Sequence, residues 1–315
     1  MSSQSLQSWR NIFLIINPAA GGSDVENIRQ RMQDECRAHD WSCDVYETKE
    51  GEDLAEVVRA ACEQGAERVV AAGGDGTVWG ACNGLIGSQI PLAILPAGTG
   101  NGLARALNIP LRVDAAIDLL AGDYEIIEVD ALRVAERYFV LNVSAGISAR
   151  IMQETPPENK QQAGILAYLA TLMKDFTERQ MTTFRLNLDG HEMQVRAVEV
   201  IVSNAVIGKN PPFFLYGERQ GYLDGRLEVN ILTAEKTGEF INLAWELLLN
   251  PAETKSNLHE FSVKNSIWLD VEGPAMTVQG DGEIIGETPV EIQLVPKAVR
   301  IVVPVSEDDA PPADA

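Results

Sequence analysis

The chain has 315 residues, 45% of them hydrophobic, and carries 46 acidic against 25 basic side chains for a formal charge of −21. That length exceeds one typical core and predicts two domains. The charge excludes nucleic acid as a partner, since its phosphates would be repelled over the whole surface, and argues against permanent docking on an anionic membrane through a polybasic patch.

Residues 1–10 are polar, and the apolar run Ile12–Ile16 that follows reads as a buried strand. It is far too short for a signal core or a membrane span. Asn17-Pro18-Ala19-Ala20-Gly21-Gly22 closes it, and Ser23 or Asp24 caps a helix to about Ala38. Cys43–Thr48 alternates as a second strand, and Asp53–Glu63 carries Leu54, Val57, Val58 and Ala61 at helical spacing. Val69–Ala72 and Leu92–Leu95 are the third and fourth strands. Short apolar strands alternating with helices imply a parallel sheet covered on both faces, with ligands at the carboxyl ends of its strands.

From about Tyr124 the pattern changes to many short alternating runs, among them Ile126–Val134, Tyr138–Val143, Gln194–Val202, Leu227–Leu232, Val290–Val295 and Val299–Val303. These predict an antiparallel β-sandwich interrupted by helices at 163–179 and 238–249. The division expected is 1–125 for an α/β nucleotide-binding domain, 126–304 for the sandwich and 305–315 for a disordered acidic, Pro/Ala-rich tail. Cys36, Cys43, Cys62 and Cys82 form no CxxC pair and read as reduced thiols, which fits a cytoplasmic protein.

The most informative stretch is Gly73-Gly74-Asp75-Gly76-Thr77, between a β-branched strand and Val78-Trp79-Gly80, where a helix can start. Three glycines mark a place where backbone must approach something closely, and the helix that follows aims free N–H groups at an anion. Asp75 would repel a bare phosphate, so it fits if Mg²⁺ or a hydroxyl lies between them. A second loop, Pro96-Ala97-Gly98-Thr99-Gly100-Asn101-Gly102, again joins a strand to a helix. Three such loops on one sheet edge exceed what sheet geometry alone requires.

Asn17-Pro18 with Gly21, then Gly73–Thr77, then Pro96-x-Gly98-Thr99-x-Asn101 with Ala104-Arg105, resemble in order and spacing the diacylglycerol kinase catalytic-domain family of soluble lipid kinases, which includes sphingoid-base and ceramide kinases. The resemblance continues through Asp130, Tyr138–Asn142, Gly221–Leu227 and Gly280-Asp281-Gly282-Glu283. It implies a nucleotide-binding α/β domain followed by a β-sandwich, with the active site in the interdomain cleft. Asn17, Thr48, Gly73, Gly74, Asp75, Gly76, Thr77 and Thr99 would hold ATP, while Asp75 and Asp130 would order catalytic Mg²⁺. Glu283, or Asp281 beside it, would be the general base for a lipid hydroxyl. Asp224, with the backbone carbonyls of Gly221 and Arg226, looks like the family's structural Mg²⁺ site.

Pattern alone leaves plainer readings beside these. Asp130 could be a solvent-facing strand residue, Thr48 a cap, and Asp224-Gly225 and Gly280–Glu283 simple turns. One departure stands out: where bacterial diacylglycerol kinases carry Asp after the Asn of the third motif, this chain has Gly102, a small residue as in sphingoid-base kinases.

The expected activity is ATP- and Mg²⁺-dependent phosphorylation of a lipid hydroxyl such as that of diacylglycerol, met by transient contact with a membrane surface; a homodimer stays open. The rivals are a sphingoid-base or ceramide kinase, an NAD kinase, which the Pro96–Arg105 and Asp224 motifs argue against, and a non-catalytic lipid or nucleotide sensor. The retained Asp75, Asp130, Asp281 and Glu283 argue against the last.

Overall fold

The computed structural model describes residues 10–20, 25–149, 181–205, 219–234, 238–239 and 257–305. Gly21, the Ser23 or Asp24 cap, the helix expected at 163–179, nearly all of that at 238–249, and the tail from 306 lie outside them.

Two compact units make up the chain: one runs to Val129 and takes up the chain again from Ala298, and the other is Asp130–Lys297. In the first, β1 (Asn11–Ile16), β2 (Ser42–Glu47), β3 (Arg68–Gly73) and β4 (Leu92–Pro96) form a parallel sheet in the order β2-β1-β3-β4. β3 and β4 are buried along their whole length, as strands covered on both faces should be. One face packs on α1 (Val25–Ala38) and α5 (Val113–Ala121) through Leu14, Ile28, Met32, Val70, Leu95 and Ile117. On the other, α2 (Leu54–Glu63) meets α3 (Asp75–Leu85). There Gly84 leaves no room for a Cβ, which would sit 2.5 Å from that of Val58. Asp53 caps α2, accepting from the amides of Ala55 (2.9 Å) and Glu56 (3.3 Å).

From β1 the chain goes out to β2 and returns to β3 on the other side of β1, so the sheet's topological switch point lies between β1 and β3. α3 begins at Asp75, three residues before the start expected at Val78, because Gly74 takes the N-cap position in extended conformation. Asp75, Gly76 and Thr77 are therefore first-turn helix residues.

The second unit is antiparallel. β8 (Thr182–Leu188), β9 (His191–Ala197), β13 (Ser266–Val271) and the first part of β16 (Val290–Pro304) line up as β16-β13-β8-β9. The second sheet runs β12-β11-β10-β7-β14-β15, from β12 (Leu258–Val263), β11 (Leu227–Leu232), β10 (Glu199–Ser203), β7 (Asn142–Gly146), β14 (Thr277–Gly280) and β15 (Glu283–Glu287). Its apolar face carries Val143, Val200, Val202, Val229 and Val278, and the opposite face carries Ser144, Glu199, Ser203, Asn230 and Gln279, equally buried.

Two expected strands are split and two are joined. Tyr138–Val143 breaks into β6 (Arg137–Phe139) and β7, because the amides of Val140, Leu141 and Asn142 leave the ladder for the Asp281 carboxylate. Gln194–Val202 is likewise split between β9 and β10, with Val198 bonding instead to the Leu232 carbonyl. By contrast, Val290–Val295 and Val299–Val303 join into β16, interrupted by Lys297 at φ +53°. The last part of β16 lies with the α/β unit rather than with the sandwich to which 126–304 was assigned: Ile301 pairs in parallel with Leu92, and Val302 is part of that unit's core. β5 (Tyr124–Val134) crosses the other boundary at Val129.

Candidate active site

In the α/β unit the predicted nucleotide residues gather at the switch point. Backbone first: Asn17 N donates to Ala72 O (2.9 Å) and Thr48 N to Ile16 O (3.0 Å), tying the ends of β1, β2 and β3 together. Asn17 Nδ2 then donates to Thr77 Oγ1 (3.0 Å), which fixes the β1 loop to the first turn of α3. Gly73 must be glycine because a Cβ there would lie inside the Thr77 side chain. The amides of Asp75 and Gly76 open α3, where no helical carbonyl precedes them to accept.

The loop after β4 is locked to the loop after β3. Ala97 N donates to Gly73 O (2.9 Å), and a Cβ on Gly98 would stand 2.5 Å from Gly74 Cα. Asp75 completes the lock: Oδ2 accepts from Asn101 N (3.0 Å) and Oδ1 from Gly102 N (2.6 Å). Asn101, at φ +52°, caps the short helix α4 (Gly102–Ala106) and exchanges side-chain bonds with Gly98 at both N and O. Thr99 is exposed on this loop and Gly76 exposed on α3. Two glycine loops thus form one structure with Asp75 as its clasp.

In the sandwich unit the predicted residues fall into two groups. Asp281 and Glu283 share the turn between β14 and β15, and the structure gives them different partners. Asp281, at φ +47°, accepts three backbone bonds, from Val140 N (2.8 Å), Leu141 N (3.0 Å) and Asn142 N (2.9 Å). Glu283 meets Arg137 Nη2 at 3.0 Å in a pair in which both side chains are more than a third exposed. Such a pair contributes roughly 0.2–1 kcal/mol and opens readily.

The second group surrounds Asp130, which is buried rather than solvent-facing. Its Oδ2 accepts from Gly225 N (2.8 Å) and its Oδ1 from Lys297 N (2.8 Å). Asp224 makes an Asx turn onto Arg226 N (2.9 Å). Crowding by neighbouring chain holds the exposed Asp224 carboxyl above its ordinary range; the Asp130 charge adds to the shift, and the Arg226 amide and charge oppose it. Gly221 lies in the turn η1 (Arg219–Leu223), where a Cβ would meet Ala205 Cβ at 2.6 Å.

Asn204, which sequence reasoning missed, connects the two groups. It is fully buried, and its Nδ2 donates to Asp130 O (2.5 Å) and Val140 O (3.3 Å). Its one signal was a polar residue directly after an alternating strand.

Among the described residues no three His, Cys, Asp or Glu side chains converge as a metal cage. The groups offered at Asp224, Gly221 and Arg226 are a carboxylate and backbone carbonyls, all oxygens as a hard divalent cation prefers, and the Asp130 charge lies near enough to act on Asp224. The residues present therefore fit Mg²⁺ held by one carboxylate, backbone carbonyls and water. In the α/β unit, first-turn amides and glycine loops closed against each other fit a phosphate chain. Among the described residues, no helix is long and apolar enough to cross a membrane.

Comparison with known proteins finds two family models along the chain. Residues 11–134 match the model for the diacylglycerol kinase catalytic domain, and residues 141–303 match that for the YegS C-terminal NAD kinase beta sandwich-like domain. A probable lipid kinase YegS-like from Serratia proteamaculans is 30% identical over 92% of this chain and 93% of its own. A diacylglycerol kinase from Mycobacterium tuberculosis is 27% identical over 83% of this chain and 85% of its own. The crystal structure of a putative diacylglycerol kinase from Bacillus anthracis shares the fold, with a TM-score of 0.79 at 21% identity over 96% of this chain and 98% of that one.

Proposed function

Because the chain belongs to the diacylglycerol kinase catalytic-domain and YegS family of lipid kinases, we propose that it transfers the γ-phosphoryl group of ATP to a hydroxyl of a lipid such as diacylglycerol. The observation that carries this reading is the clasp of Asp75 onto Asn101 and Gly102, which holds two glycine loops against each other at the start of α3. Phosphoryl transfer asks a protein mainly for positioning and charge neutralisation, which amide-rich loops and carboxylates supply.

In this reading Asn17, Thr48, Gly73–Thr77 and Thr99 hold the nucleotide, and the amides of Asp75 and Gly76 face its phosphates. Asp75 in the α/β unit and Asp130 in the sandwich unit would each hold Mg²⁺, directly or through water. Asp224, with the carbonyls of Gly221 and Arg226, would hold a second, structural ion. Bound Mg²⁺ neutralises charge on the transferring phosphate. Glu283 takes the proton of the lipid hydroxyl as its oxygen bonds to the γ-phosphorus and the bond to ADP breaks. Asp281, with three amides on its carboxylate, acts by fixing the turn. The lipid is met by transient contact with a membrane surface, from the cytoplasmic side where ATP is present.

Gly102 supports a second reading, a sphingoid-base acceptor, because the position carries no side-chain carboxylate and keeps only the backbone amide that meets Asp75. Labelled ATP offered with micelles of diacylglycerol, monoacylglycerol, sphingosine, ceramide and phosphatidylglycerol separates the two. Label in phosphatidic acid supports the first reading and label in sphingoid phosphate the second. NADP formed from NAD without lipid, or ATP binding with no transfer at all, overturns both.

A further inference from the structure

The polar face of the second sheet contains a connected chain of side chains to which the proposed chemistry assigns no part. Gln279 is 4% exposed, Ser144 3% and Glu199 1%. Gly282 N, an obligate donor, bonds to Gln279 Oε1 (3.0 Å), which orients that amide. Gln279 Nε2 therefore points the other way, donating to Asn142 Oδ1 (2.8 Å) and Ser144 Oγ (2.8 Å). Ser144 Oγ lies 2.8 Å from Ser148 Oγ, whose hydroxyl donates to Glu199 Oε1 while Ser148 N donates to Oε2 (2.9 Å). Every link is polarised toward one buried carboxyl.

The other end of the chain is the turn that carries Glu283. Among the described residues β15 pairs with β14 alone, through Gly280–Glu283 and Gln279–Ile284 up to a register shift at Val278, so the β15 side of this turn is joined to the sheet by one short ladder. Side-chain bonds add to that hold: Asp281 from the β6–β7 side, Gln279 through Gly282, and Arg137 on the half-exposed Glu283.

We propose that Glu199 is a positioning residue for the acceptor base, acting through Ser148, Ser144 and Gln279 on the Gly280–Glu283 turn. The inference rests on Glu283 being that base. Misplacing a reacting group by about 1 Å can cost on the order of 10²-fold in rate, so a latch of this kind is felt in turnover before it is felt in nucleotide affinity.

The test uses the full chain with Glu199→Gln, which keeps size but turns one of the two oxygens that accept from Ser148 into a donor, and Gln279→Leu, which cuts the chain at the turn. Gln279→Glu, which keeps the acceptor for Gly282, serves if the leucine variant fails to fold. Expected are a fall in kcat of roughly 10-fold or more with KM for ATP within about two-fold. In a Glu283→Gln background the same substitutions should change the residual rate less than about two-fold, because the group they position is gone. Unchanged kcat, or the same loss in both backgrounds, overturns the proposal. Hydrogen exchange at the Gly282 amide gives a readout free of substrate, expected about 10-fold faster in Glu199→Gln. If the wild type phosphorylates no lipid, the kinase reading falls while the exchange result still decides whether Glu199 holds the turn.

Discussion

The Gly102 amide donates to Asp75 Oδ1 at 2.6 Å, across 27 residues of sequence, and this bond joins the loop after β4 to the first turn of α3. Asp75 thereby has two separable tasks, to hold that loop and to carry charge. Asp75→Asn keeps one acceptor oxygen, so its Tm should stay within about 4 °C of wild type, while turnover falls on the order of 10²-fold. Asp75→Ala should lose both stability and turnover. Kinase assays beside thermal melts of the two variants check this, and wild-type turnover in Asp75→Asn would remove the charge from the account.

Gly98→Ala tests the closeness of the two loops. Its Cβ would lie 2.5 Å from Gly74 Cα, backbone that cannot rotate away. The loops must part, at a cost of about 1–3 kcal/mol for overpacking. Binding of ATP analogues, measured by calorimetry, should weaken about 10-fold or more. Unaltered affinity would show that the spacing of these loops is not what holds nucleotide.

Asp281 and Glu283 are two residues apart and should fail differently. Asp281→Ala strands three amides, and at about 1 kcal/mol each the loss is about 3 kcal/mol, or a fall in Tm of roughly 6–12 °C. Glu283→Gln removes only a half-exposed ion pair with Arg137 and should melt within about 2 °C of wild type. Its kcat should fall by roughly 10²–10⁴-fold. Thermal melts and steady-state kinetics on the two variants give both comparisons.

Glu199 should leave a mark on stability against pH. Burial raises its carboxyl above the ordinary value near 4.5, against the pull of the Ser148, Ser144 and Ile147 donors. A raised acid binds more proton in the folded than in the unfolded state. Its contribution is thus complete below the unfolded pKa and is lost as pH rises toward the raised folded one. Unfolding free energies from denaturant titrations at pH 5 to 8 should fall more steeply for wild type than for Glu199→Gln, by at most about 1.4 kcal/mol per pH unit. Parallel curves would mean that Glu199 does not take up a proton on folding.

What could be read in advance followed from local chemistry. Leu54, Val57, Val58 and Ala61 at helical spacing mark α2, and glycines after apolar strands mark the loops at the switch point. What escaped depends on residues distant in sequence. Pattern could not show that Asp281 breaks a strand 140 residues earlier or that Lys297 N seeks Asp130. Alternation gives a period of two but not which face meets water, so a buried polar face with Glu199, Asn230 and Gln279 was illegible. The start of α3 was misplaced because glycines in sequence read as loop, whereas Gly74 is a cap and Gly76 already helix.

The central claim is that this chain moves the γ-phosphate of ATP to a lipid hydroxyl with Glu283 as base. The most direct measurement is transfer of label from γ-labelled ATP to diacylglycerol in mixed micelles, wild type against Glu283→Gln, with melts of both. The account predicts labelled phosphatidic acid from the wild type and a loss of at least about 10²-fold in a variant of unchanged stability. Equal label from both proteins, or none from the wild type with any lipid offered, would contradict it.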